Sequence, residues 1–220
     1  MLKHILLCFL ISTPAFAHLL PDLKTATSPL KQRSIQVLAD GTKLLRFSNG
    51  VVNIGRGPVQ LEGGEIDSEG HQEVWQRIFV EDGTSYTRFA GSFTHHPQHN
   101  HTHFDEFARY RLLKVIGTSG IGEIVSESAK VSFCLYDEYK YNTRLPRYAR
   151  RPVYRTCTGD KQGISVGWYD VYDKSLPGQE LDITNVPAGS YWLESTADPY
   201  NRIQESNESN NSTRVKVILR

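Results

Sequence analysis

Residues Arg214–Leu219 read RVKVIL, and polar and apolar side chains alternate at every position of this segment except Ile218. Successive side chains of an extended strand point to opposite faces, so Val215, Val217 and Leu219 would share one buried face. A strand of this kind is stable only when it pairs with others and covers a core. The segment therefore predicts a β-sheet protein with one face of the sheet turned inward.

The rest of the chain repeats this pattern in short runs. These runs are Ser34–Leu38, Lys43–Phe47, Val74–Val80, Lys130–Tyr136, Ile164–Tyr172 and Ser190–Glu194. Turn-forming pairs stand between them, at Asp40-Gly41, Asn49-Gly50, Gly63-Gly64 and Asp82-Gly83. Long helical periodicity is absent, so we expect an all-β fold, a single β-sandwich-like domain with long irregular loops.

The amino terminus has the pattern of a secretory signal peptide. Residues 1–17 contain a basic start at Lys3, an apolar run from Ile5 to Ile11, and an Ala-Phe-Ala ending at Ala17. The apolar run is shorter than the roughly 20 residues that span a bilayer. We expect cleavage after residue 17, a mature domain of residues 18–220, and a secreted or periplasmic protein without a membrane partner. An uncleaved anchor is the alternative.

The overall charge of the chain excludes few classes of function. The chain of 220 residues has 25 Lys+Arg against 24 Asp+Glu, a formal net charge of +1. This balance is not typical of proteins that bind nucleic acid or membrane surfaces through bulk charge, so we expect no nucleic-acid partner.

One segment departs from this balance. Residues 137–161 do not fit a strand, and they carry Lys140, Arg144, Arg147, Arg150, Arg151, Arg155 and Lys161. A solvated loop is the simple interpretation. If the loop lies over a pocket, it would favour anionic partners.

The cysteines predict a disulfide. Of three cysteines, Cys8 lies in the predicted signal peptide, which leaves Cys134 and Cys157 in a protein bound for an oxidising compartment. Two free buried thiols are the alternative.

The histidines are clustered. Five of the eight lie between His95 and His103, and His99, His101 and His103 alternate. Alternating side chains of a strand share a face, and neutral imidazole binds copper and zinc, so the pattern predicts a metal site. On a flat strand these positions are about 6.5 Å apart, so the outer rings must lean inward. Asp105 and Glu106 could orient the rings, or they could be ordinary charges at a strand edge.

Four blocks in order resemble the catalytic domain of the lysyl oxidase family. They are His99–His103 leading into Asp105-Glu106-Phe107, then Lys130–Leu135, then Gly163 through Trp168–Tyr172 to Thr184, and finally Glu205–Asn211. Leu20–Leu23 and Leu44–Phe47 match more weakly, so the resemblance extends along nearly the whole mature chain.

The resemblance implies a copper-dependent amine oxidase. His99, His101 and His103 would bind Cu²⁺, and Lys130 and Tyr172 would form lysine tyrosylquinone, the family's covalent cofactor. Such an enzyme converts a primary amine, free or in a peptidyl lysine, to an aldehyde with O₂ and releases ammonia and hydrogen peroxide. A carboxylate removes a proton from the substrate, and Asp105, Glu106 and Asp170 are candidates.

The resemblance also implies a calcium site. Its ligands would be Asp22, the carbonyl of Leu23, Glu205, Asn207, Asn210 and Asn211, an oxygen-only set that suits this cation. Asn207 stands where the family has an aspartate, and an Asx-rich turn is the alternative. Cys134 and Cys157 match family cysteines whose usual partners are missing, so a bridge between them would be a rearranged one.

Other interpretations stay open. The chain could be a secreted β-sandwich that holds copper or zinc without catalysis, as a carrier or a structural site. A hydrolase that uses a metal-bound water is a weaker option. Without the resemblance, Lys130 would be a strand-edge lysine and Tyr172 a core tyrosine, so these two residues separate the oxidase from the carrier.

Overall fold

A computed structural model describes residues 16–69, 71–96, 101–129 and 131–220. The predicted signal peptide therefore lies outside the described residues, except for its last two positions. Among the described residues, no helix is long and apolar enough to cross a membrane.

The described residues form seventeen strands and one short helix. In chain order the elements are β1 (His18–Leu19), β2 (Leu23–Thr25), α1 (Thr27–Leu30), β3 (Arg33–Val37), β4 (Lys43–Phe47), β5 (Asn49–Asn53), β6 (Val59–Ile66), β7 (His71–Val80), β8 (Ser85–His96), β9 (His101–Ile116), β10 (Gly120–Glu127), β11 (Val131–Phe133), β12 (Tyr139–Lys140), β13 (Lys161–Ile164), β14 (Trp168–Tyr172), β15 (Glu180–Asp182), β16 (Gly189–Ala197) and β17 (Ser212–Leu219). The predicted all-β, sandwich-like class is confirmed.

The strands form one large sheet and two small ones. The large sheet has the order β13-β6-β7-β8-β9-β16-β17, with β1 paired to β7 and with β10 and β11 paired to β9. The small sheets have the orders β12-β14-β5-β2 and β15-β4-β3. Buried side chains from all three sheets meet in one hydrophobic cluster, so the small sheets cover the inner face of the large one.

Strand β9 is the longest and pairs along both edges. Ala108 pairs with β11 on one side and with β16 on the other, and Phe104 likewise lies between β8 and β11. β8 and β16 therefore share one edge of β9, and β10 and β11 follow the other. A strand paired on both sides has its backbone groups satisfied by neighbours, which makes β9 the central support of the large sheet.

The segment that predicts the fold behaves as expected. Val215, Val217 and Leu219 on β17 are at most 5% exposed, whereas Ile218 is 64% exposed. The predicted Asp40-Gly41 and Asp82-Gly83 turns connect β3 to β4 and β7 to β8, with both glycines in the left-handed region.

Two predicted turns are wrong. Asn49-Gly50 begins strand β5, because Gly50 packs so closely against Pro29 that a Cβ would lie 2.9 Å from its ring. Gly63-Gly64 lies within β6 at a register shift opposite Gln72, where a Cβ on Gly63 would collide with backbone. These glycines permit close approach and not chain reversal.

The predicted run Ile164–Tyr172 is two strands. Gly167, with φ +81°, sits between β13 and β14 and lets the chain pass from the large sheet to a small one. The predicted strand Lys130–Tyr136 is shorter than expected, and the structure gives it as β11 alone. The basic loop is largely irregular, as predicted, and contains only the two-residue strand β12 before it ends at β13.

The predicted disulfide is present. Cys134 and Cys157 are bonded, with their Cα atoms 5.4 Å apart. The bond joins the residue after β11 to the end of the basic loop.

Candidate metal and cofactor site

Two of the predicted metal ligands converge on β9. The ring centroids of His101 and His103 are 4.7 Å apart and their planes are inclined by 38°, closer than the spacing of about 6.5 Å on a flat strand. The rings lean toward each other, as binding to a single ion would require. His99 lies outside the described residues, so its role as third ligand stays a prediction.

The residue between these histidines is held from two directions. The Thr102 backbone N–H donates to the Cys157 carbonyl at 2.8 Å, and the Thr102 carbonyl accepts from Gln162 Nε2 at 2.8 Å. The Thr102 hydroxyl also lies 3.3 Å from His95 Nδ1. His95 therefore contacts the strand on the face opposite to His101 and His103.

Gln162 is a residue that the sequence did not identify. Its amide nitrogen donates to Thr102 and to the Thr158 carbonyl at 3.1 Å, and its amide oxygen accepts from the Leu135 N–H at 3.1 Å. The side chain is fully buried. A buried amide with three backbone partners ties the histidine strand, the end of β11 and the basic loop together.

Asp105 lies on the same face of β9 as His101 and His103. Its Oδ2 accepts from Ser92 Oγ at 2.7 Å and from Thr94 Oγ1 at 2.9 Å, and its Oδ1 accepts from Ser132 Oγ at 3.4 Å. Thr94 pairs directly with His103. The three hydroxyls fix the carboxylate beside the histidines.

Glu106 has a different setting. Its φ of 57° is in the left-handed region, where the strand bulges, and its carboxylate forms an ion pair with Arg202. The carboxylate is thus engaged by a guanidinium, and this makes Glu106 the weakest of the three predicted base candidates.

A cleft of about 890 Å³ opens beside this face. Ser92, whose hydroxyl bonds to Asp105, lines it together with Glu73 and Phe89. Glu73 pairs directly with Ser92 and therefore shares its face of the sheet. The cleft therefore lies beside Ser92, one of the hydroxyls that hold the Asp105 carboxylate.

The predicted quinone tyrosine lies on the other side of the sheet. The Tyr172 hydroxyl accepts from the Cys134 N–H at 2.7 Å and donates to the Cys134 carbonyl at 2.9 Å. Its ring packs edge-on against Phe133, with centroids 4.0 Å apart, and Phe133 pairs with the fully buried Phe104. Burial, reinforced by the charge of Asp170, raises the pKa of the Tyr172 hydroxyl well above its ordinary value.

Asp170 is a buried carboxyl group near Tyr172. It is 3% exposed, and neither of its carboxylate oxygens has a hydrogen-bond partner within the described residues. Burial first, and then the charge of Glu138, raises the pKa of Asp170 well above its ordinary value. An acid with these properties holds its proton more tightly than a surface aspartate does. Lys130, the predicted partner of Tyr172, lies outside the described residues.

The predicted calcium ligands are mostly brought together. Asn210 Nδ2 donates to Asp22 Oδ1 at 2.8 Å, Asn211 Nδ2 donates to Glu205 Oε1 at 2.7 Å, and the Leu23 N–H donates to Glu205 Oε2. The side-chain oxygens of Asn210 and Asn211 are buried and have no partner among the described residues. Orphaned amide oxygens beside two carboxylates fit a hard cation.

Asn207 does not join this group. Its side-chain oxygen accepts from the N–H of Ser209 at 3.1 Å and from its hydroxyl at 2.6 Å, a local turn at an exposed position. A different acid comes close instead, because Glu208, Glu205 and Asp198 offer oxygens within 4.8 Å of one another. Burial raises the pKa of Glu205 to about 8 and that of Asp198 to about 6.

Replacing Gln162 tests the support of the histidine strand. We expect Gln162→Ala to lower the free energy of unfolding by about 2–4 kcal/mol, because it leaves the Thr102 carbonyl and the Leu135 N–H buried without partners. Urea denaturation measures the loss. The exposed Gln32→Ala should change it by less than about 0.5 kcal/mol. Equal stability of the Gln162 variant would show that the amide does not support β9.

Replacing Asp170 tests the buried carboxyl. A raised folded pKa gives stability that is complete below the unfolded pKa of about 3.9 and is lost as pH rises toward the folded value. Asp170→Asn should therefore gain in stability relative to the unmodified protein as pH rises from about 4.5 to 7.5, as measured by urea denaturation.

Asp182→Asn is the matched control. Hydrogen bonds from the Thr184 side chain and backbone lower the pKa of Asp182, so its contribution to stability is already present above the unfolded pKa of about 3.9. The stability of this variant relative to the unmodified protein should therefore stay nearly constant over the same rise in pH. If the Asp170 variant were equally insensitive to pH, the assignment of a raised pKa to Asp170 would be wrong.

Comparison with known proteins agrees with the resemblance. A family model described as lysyl oxidase matches residues 82–220. Lysyl oxidase homolog 1 of Homo sapiens is 37% identical over 123 residues, 56% of this chain and 20% of that protein. Protein-lysine 6-oxidase of Sus scrofa is 35% identical over 130 residues, 57% of this chain and 47% of that protein. Lysyl oxidase homolog 4 of Mus musculus is 31% identical over 175 residues, 79% of this chain and 18% of that protein. The matched regions thus span less than half the length of each of these relatives.

Proposed function

The chain belongs to the lysyl oxidase family, and on this premise we propose that it is a secreted or periplasmic copper-dependent amine oxidase. It would convert one primary amine, one O₂ and one water to one aldehyde, one ammonia and one hydrogen peroxide. The observation that carries the proposal is the convergence of His101 and His103 beside the fixed carboxylate of Asp105, within the region that the family model matches.

Copper fits the donor set on this strand. The two imidazoles of His101 and His103 lean toward each other. His99, two positions earlier in the sequence, would supply the third nitrogen. The hydroxyls of Ser92 and Thr94 hold Asp105 on this face, where it would help to keep the ligand rings oriented.

Lys130 and Tyr172 would be the precursors of lysine tyrosylquinone. This cofactor supplies an electrophilic carbonyl that accepts two electrons from an amine and returns them to O₂. The chain's own contribution begins with Tyr172, whose ring stands against Phe133 and whose hydroxyl is held by the Cys134 backbone. Lys130 directly precedes β11, the strand that contains Phe133.

Asp170 is the better candidate for the base that removes a proton from the carbon next to the amine. It lies near Tyr172, it forms no ion pair with a cation of the described residues, and a carboxylate with a raised pKa is a stronger base. Asp105, on the face of β9 that carries His101 and His103, is the other candidate for this base. The preference for a particular amine, including peptidyl lysine, is not assigned.

Copper reconstitution in air tests the oxidase. The purified protein should develop a visible quinone absorption band and react with phenylhydrazine, and Tyr172→Phe and Lys130→Ala should each abolish both signals. Tyr169→Phe, on the same strand, is the matched control and should keep them. A protein with full copper occupancy and no quinone would contradict the proposal and favour the alternative of a non-catalytic copper- or zinc-binding β-sandwich.

We further propose a calcium ion at Asp22, the Leu23 carbonyl, Glu205, Asn210 and Asn211. Glu208 would supply the negative charge that Asn207 lacks, since its carboxylate stands beside Glu205 and Asp198. The orphaned amide oxygens of Asn210 and Asn211 are the observation that supports this site.

Calcium should raise the melting temperature. At a concentration of about 100 times its dissociation constant, calcium would add about 2.7 kcal/mol to the free energy of unfolding. For a chain of this size, that corresponds to a rise in melting temperature of roughly 5 to 10 °C. Glu205→Gln should remove this rise and Glu208→Gln should reduce it, as measured by scanning calorimetry. An undiminished rise in the Glu205 variant would place calcium elsewhere.

A further inference from the structure

The basic segment, residues 137–161, carries a charge that the proposed oxidase does not use. Its seven cations are all exposed, and within the described part of the chain none forms an ion pair. They are Lys140, Arg144, Arg147, Arg150, Arg151, Arg155 and Lys161. Seven like charges over so few residues repel one another, so the arrangement carries an electrostatic cost unless a polyanion neutralises it.

Two of the three acids of this segment are held by hydrogen bonds from the protein itself. Asp137 is buried and accepts hydrogen bonds from the backbone of Val153 at 2.7 Å and from both the backbone and the hydroxyl of Ser165 at 2.7 Å. Glu138 accepts from the Val171 N–H at 3.0 Å. Only Asp160 remains as an exposed acid of the segment, so the outer surface is strongly positive.

The segment is also fixed in place. The Ala149 carbonyl accepts from Trp168 Nε1 at 2.6 Å, and the Ala149 N–H donates to the Val166 carbonyl at 3.1 Å. The buried Tyr154 donates its hydroxyl to Gln60 at 2.8 Å. A partner that binds this surface therefore does not have to order a mobile loop, which lowers the entropic cost of binding.

Exposed tyrosines border the cations. Tyr139 and Tyr141, which flank Lys140, are 51% and 46% exposed, and each ring centroid lies 5.7 Å from that of Tyr169. The rings are inclined to Tyr169 by 46° and 69°. Neither ring is parallel to that of Tyr169, so neither forms with it a flat aromatic platform of the kind on which nucleic-acid bases stack.

We propose that the basic segment and these tyrosines form a docking surface for an acidic polysaccharide. Arginine presents a planar fork that matches carboxylate or sulfate groups, and a sugar ring can lie on one tyrosine face while the phenol hydroxyls bond to its own hydroxyls. An extended polymer with repeated negative charges complements cations spread along the segment. This proposal does not depend on oxidase activity.

The surface is connected to the histidine strand. The segment contains Cys157, whose carbonyl accepts from Thr102, and it leads directly into Gln162, whose amide donates to the Thr102 carbonyl. A polymer bound to the segment would thus be held next to the candidate metal site. Docking would retain the protein on a polysaccharide matrix with that site close to it.

Titration calorimetry with a galacturonic-acid oligomer tests the proposal, with a single-stranded oligonucleotide of equal charge as the comparison. The logarithm of affinity should fall with the logarithm of salt concentration with a slope of about −3 or steeper. The triple variant R150A/R151A/R155A should bind at least about tenfold more weakly at low salt. Tyr141→Ala should weaken sugar binding about fivefold.

The charge-matched control is K24A/K31A/K43A, which removes three exposed cations outside the segment and should bind like the unmodified protein. Circular dichroism checks that each variant folds. Three results would overturn the proposal: no binding of the galacturonic-acid oligomer, an equal loss in the control, or tighter binding of the oligonucleotide without dependence on Tyr141.

Discussion

The hydrogen bonds at the Thr102 peptide groups are the contacts on which the candidate site depends. They join β9 to the Cys157 carbonyl and to the Gln162 amide. Because Cys157 is bonded to Cys134, the same contacts connect the histidine strand to the end of β11. The backbone between His101 and His103 is thereby fixed in place.

The two halves of the proposed chemistry lie on opposite faces of one sheet. His101, His103 and Asp105 share the outer face of β9 with Ser92, which lines the cleft, whereas Tyr172 packs against Phe133 on the core side and Asp170 is buried. Cofactor formation as proposed joins the Tyr172 ring to a lysine that precedes β11, the strand whose following residue, Cys134, holds the Tyr172 hydroxyl. Within the described part of the chain, the carboxylate oxygens of the buried Asp170 have no hydrogen-bond partner. An unpaired buried carboxyl group lowers stability, and this is common where such a group has a chemical role.

Local pattern predicted the fold class, the disulfide and the shared face of His101 and His103, because each follows from side-chain period or compartment. Local pattern did not predict the role of Gln162. A single glutamine can hold β9 by hydrogen bonds only after the fold has brought β11 and the basic segment next to Thr102. Local pattern misplaced the Gly50 turn, because the close approach of Pro29 is a tertiary contact. A glycine in the sequence indicates that the backbone has more conformational freedom at that position. The fold decides whether this glycine forms a turn or permits close packing.

The central claim is that the chain makes its own quinone from two side chains that are 42 positions apart in sequence, at 130 and 172. Mass mapping of peptides from copper-loaded, air-exposed protein tests it most directly. The account predicts one covalently joined peptide pair that contains Lys130 and Tyr172, absent when copper is withheld. Recovery of both peptides as separate, unmodified species from fully copper-loaded protein would contradict it.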